Sequence, residues 1–132
     1  MDFPSSERFS ERRADFEKAL SRLEEALREP ETPLIRDATI QRFEFTYELA
    51  WKTMKLWLAE KGILVRNPKD TLQAALEQGL ISDGAAWSHL HAARNLTSHT
   101  YEEENAIQIY ETLKDSGLAL FLALQKNLKI SP

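Results

Sequence analysis

Cysteine is absent from the 132 residues, which removes disulfide frameworks, thiolate metal sites and cysteine nucleophiles from consideration. Glycine and proline are scarce, at 4 and 5 residues, too few for the many tight turns of an all-β fold. No apolar run approaches the roughly 20 residues that span a bilayer, so no membrane association is expected. The segment Met1–Arg13 is polar and charged and does not read as a secretory signal. A soluble cytoplasmic protein is the expectation.

What is present suits one packed domain over residues 1–132. Apolar residues make up 42% and charged residues 29%, enough for a core with one solvated face on every element and against intrinsic disorder. The net charge of −4 gives little reason to expect broad nucleic-acid binding. The charge is segregated, however. Residues 52–69 carry Lys52, Lys55, Lys61, Arg66 and Lys69 against Glu60, a local +4. Residues 100–115 carry Glu102, Glu103, Glu104, Glu111 and Asp115 against Lys114, a local −4. Such segregation marks solvated helix faces or complementary partner surfaces.

The hydrophobic period is helical throughout. Phe9, Phe16, Leu20, Leu23 and Leu27 recur at spacings of 7, 4, 3 and 4, one stripe on a helix from Ser6 to Glu29 capped by Ser5 or Ser6. Thr32 as N-cap and Pro33 at the first position open a second helix, which Gly62 ends near Lys61. Its inward stripe is Ile40, Phe43, Tyr47, Ala50, Met54 and Trp57 or Leu58. Ile63–Leu64–Val65 reads as an extended connector. Asn67–Pro68 begins a short helix to Gln78 that turns Leu72, Ala75 and Leu76 inward, and Gly79 closes it. Ser82 or Asp83 caps a fourth helix, Gly84–Ser98, with Trp87, Leu90 and Ala93 facing the core. A fifth runs from Glu102 to Lys126, bent at Asp115–Ser116–Gly117. The chain ends are expected to fray. The short connections predict an all-α fold, an antiparallel up-and-down four-helix bundle with one extra short helix.

All three histidines lie in one polar stretch that also holds Arg94, Asn95, Thr97, Ser98, Thr100 and Tyr101. Arg94 continues the apolar stripe of its helix, a local conflict that a purely structural role would resolve by pairing it with Glu44 or Glu48. Asn95 and His99 are four apart and share a helix face. Arginine clamps phosphate bidentately, and imidazole is the side chain that ordinarily exchanges protons near neutrality. Asn95 can orient a ribose or phosphate. No metal or other cofactor is needed; His91 and His99 lie about 12 Å apart along a helix axis, too far to share an ion. Ser98 beside His99 lacks the triad order and elbow of a hydrolase nucleophile. Trp51, Trp57 and Trp87 are read as core, with nucleobase stacking as the alternative.

The segment Arg94–Asn95–Leu96–Thr97–Ser98–His99 resembles the R-x4-6-H motif of the HEPN superfamily, and Tyr101 extends it to R-x4-H-x-Y. Residues 40–52 resemble the second-helix signature of one branch, the nucleotidyltransferase substrate-binding proteins. Asn67–Pro68, Ala74–Ala75, Gly79–Leu80–Ile81 and Trp87 are similar to that branch in order and spacing. The similarity covers roughly residues 10 to 125. It implies a four-helix bundle that pairs as a homodimer, with the motifs facing a shared cleft, and a partner that is a minimal nucleotidyltransferase encoded nearby. Together such pairs look like toxin–antitoxin modules. The resemblance implies that Arg94 and His99 are the catalytic pair of a metal-independent ribonuclease, that Asn95 and Ser98 support substrate binding, and that Tyr101 accepts AMP from the transferase. The branch name implies the alternative, a noncatalytic subunit that presents a nucleotide or substrate. RNA and a nucleotide therefore both stand as expected ligands, and enzymatic activity is left open between the two readings.

Overall fold

The computed structural model describes residues 4–129. Six α-helices follow one another: α1 Pro4–Arg28, α2 Pro33–Glu60, α3 Pro68–Glu77, α4 Gly84–Leu96, α5 Glu103–Thr112 and α6 Leu118–Leu128. A 3-10 turn, Thr97–His99, follows α4, and a π-helical turn, Leu113–Gly117, joins α5 to α6. No strand occurs among the described residues. With α5 and α6 counted as one interrupted rod, α1, α2, α4 and that rod form the bundle, and α3 is the extra short helix.

The ends of these helices follow local chemistry. Thr32 Oγ1 accepts from Ile35 N at 3.1 Å, Asn67 Oδ1 from Asp70 N at 2.8 Å and Asp83 Oδ1 from Ala86 N at 3.0 Å, each satisfying an amide that the first turn leaves open. Asp83, not Ser82, is thus the cap of α4. Gly62 and Gly79 have φ of 78° and 76°, the left-handed stop that a side chain resists. Helix α1 already begins at Pro4, ahead of the two expected capping serines; the side chains of Ser5 and Ser6, and the fraying expected of the chain ends, lie outside the described residues.

The expected stripe of α2 is buried, and Trp57 and Leu58 both join it. Helix α2 also buries Thr39, Thr46 and Thr53, spaced seven apart. Each hydroxyl donates to the carbonyl one turn back, at 2.7, 2.7 and 2.6 Å, so the burial leaves no polar group unpaired. In α3 Ala75 is buried, whereas Leu72 and Leu76 are only half-buried against the core. They wall an open groove instead.

Two expectations about helix length are corrected. Helix α4 stops at Leu96 rather than Ser98, because the Thr97 hydroxyl bonds the Arg94 carbonyl at 2.7 Å and tightens the chain into a 3-10 turn. The long fifth helix is interrupted over Leu113–Gly117, at the place where a bend is expected. A Cβ on Gly117 would sit 3.0 Å from a Leu113 methyl and 3.1 Å from a Leu90 methyl. Glycine there lets the α5–α6 rod lie against α4.

Phe121 of α6 marks the centre of the core. Its ring meets Phe16 of α1 at 6.1 Å, Phe43 of α2 at 6.2 Å and Trp87 of α4 at 5.9 Å. Four helices are therefore joined through aromatic edges and faces.

Candidate functional site

The 3-10 turn that ends α4 presents the motif. Arg94 is half-buried, and its Nη1 donates to Thr97 Oγ1 at 3.2 Å. His99 is exposed, and its Nδ1 lies 3.3 Å from the hydroxyl of Tyr101, a residue 78% exposed. The His99 carbonyl accepts from Asn105 Nδ2 at 3.0 Å and from Glu102 N at 3.3 Å, so the first residues of α5 hold the turn in place. The structure thus brings together His99 with Tyr101 and Arg94 with Thr97. No hydrogen bond joins Arg94 or Asn95 to His99 among the described residues, and the shared helical face expected of Asn95 and His99 is lost when α4 ends at Leu96. Ser98 is exposed on the same turn.

The pairing with Glu44 or Glu48 that a purely structural role for Arg94 would require is not found. Among the described residues Arg94 makes no ion pair, and Glu48 pairs with Lys52 at 3.4 Å. The guanidinium charge instead acts on Tyr47 and on His91. Tyr47 is buried, and its hydroxyl is 2.6 Å from His91 Nδ1. Burial pushes the Tyr47 phenol above its ordinary range, the nearby Arg94 charge opposing this. Burial, with the charges of Lys69 and Arg94, holds His91 below the ordinary imidazole value. The Tyr47 hydroxyl and His91 Nδ1 share one hydrogen bond, whose donor is set by the imidazole tautomer.

This arrangement makes stability depend on pH with a definite sign. His91 binds a proton more weakly folded than unfolded, so its contribution is present above the ordinary value of about 6.5. It is lost as pH falls through the depressed folded-state value. Between about pH 7.5 and about pH 5 the wild type should lose more stability than His91→Gln, measured by urea unfolding at each pH. Parallel curves would show that His91 is not the group responsible.

Asn95 and His91 line a groove of about 540 Å³ between α3 and α4, with Lys69 at its rim and Trp87 and Leu76 in its walls. Lys69 is the member of the basic stretch that reaches it. Lys55 and Lys61 lie over the rings of Trp51 and Trp57, 6.0 and 4.7 Å from their centroids. Trp57 and Trp87 are buried in the core, which removes Trp57 as a nucleobase platform; Trp51 is half-buried against the core. Tyr47 and Asn105 are neighbours of the candidate site that sequence reasoning did not single out for it, while Lys69 and His91 stood out only as members of the basic and polar stretches. For Asn105 a signal existed, an amide in the first turn after the motif. The other three meet only through tertiary contacts.

Similarity to known proteins agrees with this architecture. A crystal structure from Thermus thermophilus superposes with a TM-score of 0.82 at 36% identity, covering 87% of this chain and 99% of that one. A Haemophilus influenzae structure, described as revealing the fold of a substrate binding domain of a nucleotidyltransferase, superposes with a TM-score of 0.76 at 30% identity over 89% of this chain and 99% of that one. A probable ribonuclease HepT of Haemophilus influenzae is 42% identical over 81 residues, 58% of this chain and 56% of that protein. The chain thus spans little more than half the length of that curated relative. The family model for nucleotidyltransferase substrate binding protein like sequences matches residues 11–130, and the chain belongs to that family.

Proposed function

We propose that this chain is the HEPN-type half of a two-component system with a nucleotidyltransferase, and that it cleaves RNA without metal through Arg94 and His99. The observation that carries the reading is the exposed His99 on its 3-10 turn, with a nitrogen 3.3 Å from the equally exposed Tyr101 hydroxyl. A proton acceptor thus stands beside a hydroxyl that can be covalently capped. In the cleavage step His99 takes the proton of a ribose 2′-hydroxyl. The 2′-oxygen bonds to the adjacent phosphorus, the phosphorus–5′-oxygen bond breaks, and the leaving oxygen takes a proton from water. Arg94 neutralises the added charge on the phosphorane. The products are a 2′,3′-cyclic phosphate and a 5′-hydroxyl. Asn95 and Ser98 support the bound strand.

Regulation follows from the same pair. The partner transferase adds AMP to Tyr101: the phenolic oxygen gives up its proton to solvent and bonds to the α-phosphorus of ATP, and pyrophosphate leaves. The adenylyl group then covers His99 and silences the enzyme, the logic of a toxin held by its antitoxin. A second copy of the chain completes the cleft as a homodimer.

The purified wild type should cut a mixed RNA pool in excess EDTA, and RNA left uncut would end the ribonuclease reading. Incubation with the partner transferase and ATP should add the mass of one AMP and suppress cleavage. Equal labelling of Tyr101→Phe would reject Tyr101 as the acceptor.

A second reading, a noncatalytic subunit that presents a nucleotide to the transferase, is favoured by the exposed Glu102, Glu103 and Glu104, whose charges oppose an RNA backbone beside His99. Its signature is stable binding to the transferase with no cleavage of any RNA.

A further inference from the structure

The groove between α3 and α4 lies outside the R-x4-H-x-Y motif but touches it at Asn95. Its volume, about 540 Å³, falls within the roughly 300–1,000 Å³ usual for sites that enclose a small ligand. Leu72 and Leu76 give it an apolar surface, Trp87 being buried like Trp57, and no acidic residue lines it. Lys69 is exposed and makes no ion pair among the described residues, and the Asn95 side chain is exposed and without a hydrogen bond among them. With Tyr47 occupying Nδ1 of His91, Nε2 is the ring nitrogen left for a ligand. The groove therefore offers an aliphatic surface edged by a cation, an imidazole nitrogen and a carboxamide.

We infer that this groove binds one nucleotide of single-stranded RNA, next to the phosphate that Arg94 and His99 act upon; the inference rests on the ribonuclease reading. The base packs against the leucine wall, a nonpolar contact that reads no base edge. The following phosphodiester meets Lys69. A single unpaired cation matches the one charge of a phosphodiester rather than the several charges of a free triphosphate. Arg94 is the chain neighbour of Asn95, so the nucleotide in the groove lies one step from the reacting bond. The placement also answers the acidic residues after the motif. Glu102, Glu103 and Glu104 are not among the residues that line the groove.

The test uses the full chain carrying His99→Ala, so that RNA survives, and a fluorescein-labelled random hexaribonucleotide in EDTA. Lys69→Glu removes the cation, and Ser88→Trp, at an exposed position on the α4 wall, fills the groove. Circular dichroism establishes that each variant is folded. Each should raise the Kd by about tenfold or more, while the charge-matched Lys18→Glu on the distant face of α1 should change it by less than about twofold. Lys69→Gln should also lower the slope of log K against log salt by about 0.7. Unchanged hexamer affinity in both groove variants would overturn the inference, as would free AMP binding as tightly as the hexamer. The two readings separate cleanly. A wild type that cuts no RNA, with hexamer binding that still depends on Lys69 and Ser88, retains the groove and loses the ribonuclease. A wild type that cuts RNA with a KM indifferent to both substitutions retains the ribonuclease and loses the groove.

Discussion

Replacing His99 with alanine is expected to lower metal-free RNA cleavage about 10²–10⁴-fold, the usual contribution of a positioned base. Arg94→Ala is expected to lower it about 10²–10³-fold, the usual loss when a group stabilising transition-state charge is removed. Neither change should unfold the protein. His99 is exposed, and its place in the turn is held through its backbone carbonyl by Asn105 and Glu102, which alanine retains. Arg94 loses a side-chain bond to Thr97, but the Thr97 hydroxyl still donates to the backbone carbonyl of residue 94. Arg94→Lys keeps the charge and loses the planar fork, so it should fall between wild type and Arg94→Ala. The measurement is single-turnover cleavage in EDTA with melting curves beside it. A His99→Ala protein that cuts at the wild-type rate would remove the imidazole from the mechanism, whatever Arg94 does.

The parts of the molecule that were legible in the sequence are those that local chemistry decides. Thr32–Pro33 and Gly62 bounded α2, and Asn67–Pro68 and Gly79 bounded α3, because caps and left-handed stops act on the nearest few amides. The apolar period identified the buried stripes, and the bend near Gly117 was visible as a polar run with glycine. What was not legible depends on competition or on distance in the chain. The end of α4 shifted because Thr97 prefers a short-range bond to the Arg94 carbonyl, and the shift changes which residues face His99. The buried Thr39, Thr46 and Thr53 read as polar by type, yet their bonds to preceding carbonyls make them core residues. The pairing of Tyr47 with His91 spans 44 residues. Arg94 looked like a charge in need of an acid; in the fold it acts on a phenol and an imidazole. The motif residues themselves were identifiable, while the groove beside them exists only because α3 lies across α4.

Phe121→Ala is expected to destabilise the fold by about 3–5 kcal/mol, the range for truncating a buried phenylalanine. The ring is fully buried and is the point where α1, α2, α4 and α6 meet. Removing it opens a cavity that four helices cannot close together, since the three neighbouring rings are held by their own packing. For a chain of this size the melting temperature should fall on the order of 10–20 °C. Leu122→Ala is the control: the next residue along α6 is 37% exposed, and its truncation should cost about 0.5 kcal/mol or less. Trp87 connects this point to the site, because one side of its ring meets Phe121 and the other borders the α3–α4 groove. Where Phe121→Ala remains folded at low temperature, α4 loses its support from beneath. RNA binding should then weaken more than for Leu122→Ala measured at equal folded fraction. Equal losses of stability for the two variants would show that the three aromatic contacts of Phe121 are not where the bundle draws its cohesion.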